Sequence, residues 1–118
     1  MALAVIAGGC GGDSGYSLEK TRSCLADRHV RTGGSLDIVA STAPAGAFVA
    51  HLCDNFVTVV FGQNDSNADE LEAAYHRFAF SNVRRGLPDV LRRDKNAVML
   101  WHKHPSDSDL ATVTSCLK

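Results

Sequence analysis

The apolar and polar positions from residue 17 to residue 61 predict one helix followed by three strands. Ser17 is suited to cap a helix over residues 18–28, in which four inward positions recur at helical spacing: Leu18, Thr21, Cys24 and Leu25. Runs rich in β-branched and aromatic residues then predict strands over 36–42, 47–53 and 56–61. Asp54-Asn55 predicts a hairpin turn between the last two, because both side chains tolerate a positive φ.

The second half of the chain predicts a helix, a strand and a further helix. Asn67 followed three residues later by Glu70 has the spacing of a capping box, and an apolar stripe continues from it: Leu71, Ala74, Tyr75 and Phe78. Residues 84–96, which contain Gly86 and Pro88, predict an irregular connection with a short turn near Val90. The unbroken apolar run 97–101 is typical of an inner strand. Ser106 is suited to cap a last helix with an apolar inner face: Leu110, Val113, Cys116 and Leu117.

This order of elements predicts an α+β fold, a two-layer sandwich in which helices pack on one face of a mostly antiparallel sheet of about four strands. The length of 118 residues, 45% of them hydrophobic, fits one domain, which we place at residues 17–118. Twelve Lys and Arg stand against thirteen Asp and Glu without a block of either sign. Nucleic acid is therefore not expected as a partner, since phosphate binding requires clustered basic residues.

The first sixteen residues differ in composition from the predicted domain. Residues 2–7 are apolar, Gly8 and Gly9 lead to Cys10, and a Gly-rich stretch follows. The segment 7–10 resembles a bacterial lipobox, which implies that Cys10 is diacylated, that residues 1–9 are the remnant of a signal peptide and that residues 10–16 are a tether. Ala7 stands where a lipobox favours Leu, and no basic region precedes the apolar run. An unlipidated secreted domain is therefore the alternative.

Several segments of the chain resemble small uncharacterised lipoproteins of actinobacterial type: residues 16–20, the Ser-Cys-Leu triplets at 23–25 and 115–117, and the strand 96–101. The resemblance implies an exported protein anchored by its lipid to the outer face of the cell membrane. It implies no activity. The hypothesis that follows is a binding or interaction module of the cell envelope, with an envelope protein or a small ligand as its partner.

The cysteines predict one disulfide. With Cys10 assigned to lipidation, Cys24, Cys53 and Cys116 remain, and three cysteines form at most one bridge. Cys24 and Cys116 lie on the inner faces of the first and last predicted helices, which could meet side by side, and export provides the oxidising environment that a disulfide needs. We predict that these two are joined and that Cys53 is a free thiol. Two reduced, buried cysteines are the alternative.

A pair of histidines gives an alternative function. His102, His104 and Pro105, followed by Ser106 and Asp109, resemble the JAMM zinc hydrolase motif, and the resemblance implies a metal-binding module or a zinc hydrolase centred on His102 and His104. The spacing departs from that motif because Ser106 follows Pro105 directly. A helix cap explains the same residues, with the acidic groups near the positive end of the helix. We assign no catalytic residues and predict no cofactor.

The predicted anchor has a signature in the mass of the intact protein. Protein taken from the membranes of its host should lack residues 1–9 and carry a diacylglycerol on Cys10, because cleavage and acylation act on the same residue. Intact-mass spectrometry measures both changes, and a Cys10→Ser variant should show neither. An unacylated wild-type protein that retains residues 1–9 would contradict the anchor.

Overall fold

The computed structural model describes residues 15–118, so Cys10, the predicted signal-peptide remnant and all but the last two residues of the predicted tether lie outside the described residues. Within that range the chain forms five helices and five strands: α1 (Leu18–Asp27), β1 (Arg31–Thr32), α2 (Ile38–Ser41), β2 (Ala47–His51), β3 (Phe56–Phe61), α3 (Asp65–Phe78), α4 (Ser81–Val90), β4 (Leu91–Asp94), β5 (Ala97–Trp101) and α5 (Asp107–Cys116).

The strands form one antiparallel sheet in the order β1-β2-β3-β5-β4. The predicted hairpin joins β2 to β3 with His51 opposite Phe56. Its turn is closed by the Leu52 N–H, which donates to the Asn55 carbonyl over 2.9 Å, and does not use the positive φ that we had expected there. The α+β class with an antiparallel sheet is confirmed, and the sheet has five strands.

Helices cover both faces of the sheet, whereas the sequence predicted them on one. On the face that we call the disulfide face, α1 and α5 pack on the alternate strand residues that include Val59 and Met99. On the opposite face, which we call the groove face, α2 and α3 pack on Val60 and Val98. The cause is the composition of β3 and β5, which are apolar at every position except Thr58, so that both of their faces must be removed from water.

The strand predicted at residues 36–42 is wrong, because this segment contains the short helix α2. The Asp37 side chain accepts a hydrogen bond from the Ala40 N–H over 2.8 Å and so caps the first turn. The hydroxyl of Thr42 donates back to the Ile38 and Val39 carbonyls at the other end. These local bonds satisfy the backbone without a neighbouring strand and outweigh the preference of Ile38 and Val39 for a sheet.

The irregular connection predicted at residues 84–96 is also wrong, since it contains most of α4 and all of β4. Pro88 lies two residues before the end of α4, where its missing N–H leaves one carbonyl, that of Arg84, without a helical partner. Full burial of Leu87 offsets that loss. The hairpin from β4 to β5 turns at Lys95, which has a φ of 51°.

Helix α3 begins at Asp65, three residues before the predicted capping box would start it. Asn64 is the N-cap and accepts a hydrogen bond from the Asn67 N–H over 2.7 Å, while the Asn67 side chain accepts from the Gln63 N–H over 2.9 Å. Asn67 is therefore the third residue of the helix and not its N-cap, and its side chain reaches back to the residue before the N-cap. The N-terminal half of α3 is fixed to the edge strand by Arg93, which contacts Asp69 and Glu72.

The first and last helices lie as the sequence predicted, and the disulfide between them is confirmed. Ser17 and Ser106 are the N-caps of α1 and α5. Cys24 and Cys116 form the disulfide with their Cα atoms 5.4 Å apart, at a sequence separation of 92 residues. The bridge lies where α1 and α5 pack together on the disulfide face.

The start of the described chain is held at one end of β5. Tyr16 donates its N–H to the Asn96 side chain over 2.6 Å, and the Asn96 amide donates in return to the carbonyls of Tyr16 and Gly62. The Ser17 N–H donates to the Lys118 carbonyl over 2.5 Å. Asn96 is 2% exposed, so each of these bonds replaces water that the amide has lost.

Removal of the bridge should destabilise the domain strongly. In the chain-entropy model a closed loop of this length contributes about 4 to 5 kcal/mol, so the free energy of unfolding of a Cys24→Ser/Cys116→Ser variant should fall by about that amount. Urea denaturation followed by circular dichroism measures the change. Cys53→Ser is the matched control, because Cys53 is exposed and outside any disulfide within residues 15–118; it should stay within about 0.5 kcal/mol of wild type. Equal stability of the double variant and this control would contradict the expected role of the bridge.

Candidate functional site

The large apolar side chains that remain exposed are concentrated in one region of the described surface. There are six of them: Leu36, Ile38, Phe56, Phe78, Phe80 and Val83. All but Leu36 line one groove on the groove face. Phe80 is 82% exposed and Ile38 is 69% exposed. Contiguous exposed apolar surface of this kind is uncommon on a domain with no partner and marks a site of binding.

The groove has two lobes that meet at Asp37, Val83 and Leu100. The apolar lobe, of about 550 Å³, is bounded by α2, the end of α3 and the start of α4, and its remaining lining is Ile38, Val39, Tyr75, Phe78, Ala79 and Phe80. The mixed lobe, of about 520 Å³, lies beside the ends of β3 and β5, and its remaining lining is Ser35, Phe56, Thr58, Asn82, Gly86, Val90, Trp101 and His102. Each volume is within the range of small-molecule sites.

The groove exists because the helices on this face are too short to cover the sheet. Helix α2 has four residues, and α3 ends at Phe78 because Ala79 is extended, with φ −68° and ψ 144°. The chain then turns into α4, so Phe78 is 58% exposed although it continues the stripe of Leu71 and Tyr75. Leu100 of β5 consequently forms part of the floor of both lobes.

A partly buried hydrogen bond fixes the inner wall of the groove. The Tyr75 hydroxyl, on a side chain that is 3% exposed, donates to both carboxylate oxygens of Asp37 at 2.9 and 3.1 Å. Burial, followed by the negative charge of Asp37 and the hydrogen bond to it, raises the pKa of Tyr75 far above the usual value of a phenol. The pair joins the cap of α2 to the last turn of α3, and so holds the apolar lobe open between the two helices.

The mixed lobe offers polar groups of several kinds. The side chain of Trp101 is 1% exposed and belongs to the core of the disulfide face, so its indole N–H is not among them. The ring of His102 is stacked on Phe56 with the ring centres 4.5 Å apart and the planes at 14°. Ser35, Thr58 and Asn82 add hydroxyl and amide groups. This lobe therefore suits the polar part of a ligand better than the apolar lobe does.

The two histidines of the predicted metal site have separate contacts. His102 contacts Phe56, as above, while the Nδ1 atom of His104 lies 2.5 Å from a carboxylate oxygen of Asp89. Asp109 belongs to the first turn of α5, and its backbone N–H donates to the Ser106 side chain over 3.0 Å. Residues 15–118 hold no group of three or more His, Cys, Asp or Glu side chains placed to bind one metal ion. The helix-cap interpretation of Ser106 is confirmed, and metal binding by the histidines stays a prediction.

The remaining predicted site residues lie away from the groove or outside the described range. Cys53 is exposed in the turn between β2 and β3. Cys24 and Cys116 form the bridge on the opposite face of the sheet. Cys10 precedes the described residues, so its lipidation stays a prediction. Within residues 15–118 no helix is both long enough and apolar enough to cross a membrane.

The groove residues were not identified as a site from the sequence. Tyr75 and Phe78 were assigned together to the core-facing stripe of α3, and Phe80 and Val83 to no element. The one local signal is the segment His76 to Val83, where two phenylalanines occur among polar residues just after the apolar stripe ends. Asp37 and Tyr75 are separated by 38 residues, so their contact has no signature in a local pattern.

Comparisons with protein-family models, with curated proteins and with solved structures find no match for this chain.

Replacing Tyr75 by Phe should lower stability in a way that depends on pH. At neutral pH the free energy of unfolding of the variant should fall by about 0.5 to 1.5 kcal/mol, because the exposed carboxylate of Asp37 loses a hydrogen-bond donor. The raised pKa of Tyr75 contributes stability that is fully present below the unfolded value of 10.0 and is lost as the pH rises above it, since only the unfolded phenol then ionises. The free energies of unfolding of wild type and variant should therefore converge above about pH 10. Urea denaturation at a series of pH values tests this. If the free energies of unfolding of wild type and variant changed in parallel with pH, the ionisation of Tyr75 would not contribute to the pH dependence.

Proposed function

We propose that the protein is an exported, membrane-anchored module of the cell envelope that binds an apolar ligand in the groove. The observation that carries the binding function is that five of the six exposed large apolar side chains of residues 15–118 line this one groove. Removal of this surface from water would contribute about 25 cal/mol per Å² of apolar area, and a bound ligand would supply that burial. Binding accounts for the exposed surface without requiring a reaction.

The ionisable groups that line the groove favour binding over catalysis. Asp37 already accepts hydrogen bonds from the Tyr75 hydroxyl and the Ala40 N–H, and those bonds maintain the helix positions. The ring of His102 is stacked on Phe56. A general acid–base pair needs two groups free to exchange protons with a substrate, and these two have structural contacts instead.

The path of the chain supports an anchored arrangement. The N-terminal end of the described chain is held by Asn96, directly before β5, whereas Trp101 and His102 of the mixed lobe lie at the other end of that strand. The five residues of β5 separate these ends by roughly 16 Å. A lipid on Cys10 would therefore attach the domain by the end of the sheet that is remote from the mixed lobe, and leave the groove accessible to a ligand.

Binding can be tested with a neutral apolar fluorophore, N-phenyl-1-naphthylamine, and the full chain. Wild type should enhance its fluorescence in a saturable manner. Val83→Glu should weaken binding at least about tenfold, because it places a charge where the two lobes meet and burying that charge is costly. Val83 is 36% exposed on α4, so the fold should tolerate the change.

The matched control is Ala111→Glu, at an exposed helical position of α5 on the disulfide face. It adds the same charge away from the groove and should leave the dissociation constant of the fluorophore within twofold of wild type. Circular dichroism verifies that both variants are folded. Equal affinity of the two variants, or no saturable binding by wild type, would rule out the groove as the binding site.

A further inference from the structure

We infer that the ligand of the groove is a long-chain carboxylate, an anionic amphiphile with one chain, whose acid group binds at the corner between α3 and α4. This inference rests on the proposed function, because it assumes that the groove binds a ligand. It adds the charge and the orientation of that ligand.

The corner is the most basic part of the groove. From residue 73 to residue 88 the sequence contains His76, Arg77, Arg84 and Arg85 and no Asp or Glu. This segment is the end of α3, the connection and most of α4, which together form one wall of the apolar lobe. The apolar lobe is thus bordered by cationic groups on this side, which is complementary in charge to an anionic head group.

Two of these arginines contact the residues that line the apolar lobe. The guanidinium carbon of Arg77 lies 5.6 Å from the centre of the Phe78 ring. Arg84 donates a hydrogen bond to the Ala79 carbonyl over 3.0 Å, and Ala79 is itself a lining residue. Neither guanidinium forms an ion pair with a carboxylate in the described structure, whereas Arg93 contacts both Asp69 and Glu72. Arg77 and Arg84 can therefore accept an anionic partner.

The position of Asp37 determines which way such a ligand lies. Its carboxylate is where the two lobes meet, on the inner wall, and would repel an acid group placed there. An anionic head group is therefore favoured at the corner, beside Arg77 and Arg84, and the chain is favoured in the groove, against Val39 and Leu100. The planar guanidinium of arginine matches a carboxylate through two parallel hydrogen bonds, which favours this head group over a neutral one.

The test is displacement of N-phenyl-1-naphthylamine from the full chain by ligands of equal chain length and different charge. Laurate, which is anionic, should displace the fluorophore at a lower concentration than neutral dodecanol does. Cationic dodecyltrimethylammonium should need the highest concentration of the three. Arg77→Gln should weaken the binding of laurate about two- to fivefold, which is the range for exposed ion pairs. It should leave the binding of dodecanol unchanged. The preference for laurate should also fall as salt is added.

Arg22→Gln is the matched control. Arg22 belongs to α1 on the disulfide face, and its guanidinium carbon also lies 5.6 Å from a phenylalanine ring centre, that of Phe48. The control removes a similar cation–aromatic contact away from the groove, so it should not alter the concentration of laurate needed for displacement. Arg84 is left intact because it also satisfies the last carbonyls of α3.

Four results would overturn the inference. Equal displacement by laurate and dodecanol would remove the anionic specificity, and so would equal effects of Arg77→Gln and Arg22→Gln on displacement by laurate. Either result would leave the proposed function intact, provided that Val83→Glu still weakens binding of the fluorophore. A third result is that the domain sediments with phosphatidylglycerol vesicles in a manner that depends on Arg77, while laurate fails to displace the fluorophore. That result would show that the corner binds a bilayer surface and not a free carboxylate. No fluorophore binding by wild type would remove the proposed function as well.

Discussion

The rest of the structure depends on the need to cover both faces of the central strand pair. Strands β3 and β5 are apolar at every position except Thr58, so neither face can remain in water. On the disulfide face two ten-residue helices, α1 and α5, supply that cover. On the groove face α2 has only four residues and α3 ends early, so the far end of the sheet is covered incompletely by α4. The groove is the part of this face that the short helices leave uncovered.

The helices on the two faces are consequently attached to the sheet by different kinds of interaction. The disulfide face has a covalent bridge between its helices, and the nearby chain ends are tied together by the bond from Ser17 to Lys118. The groove face is held by burial and by polar contacts such as that of Tyr75 with Asp37. This division suits the proposed binding module, because the cross-linked half adjoins the start of the described chain while the other half presents the groove.

Local patterns predicted a large part of the fold but little of the candidate site. Ser17 and Ser106 were recognised as caps because the cap and the N–H groups that it satisfies lie within one turn of helix. The pairing of Cys24 with Cys116 followed from their places on the first and last helices. The groove, by contrast, is a relation among three helices and the ends of two strands. Phe78 shows the limit of prediction from local patterns. It occupies a position of the apolar stripe of α3, as a core residue would, although no neighbouring element covers it.

The sequence by itself determined the α+β class, the antiparallel central strands and the caps of the first and last helices, because each depends on spacing within a segment or on the order of the segments. It also predicted the disulfide, from the count of cysteines and their places on the first and last helices. The tertiary structure decided that helices cover both faces, that residues 38–41 are helical and that Pro88 lies inside a helix. It also decided where the exposed apolar side chains meet. These outcomes depend on which distant segments pack together, as Asp37 and Tyr75 do, and local propensity is too weak to fix them.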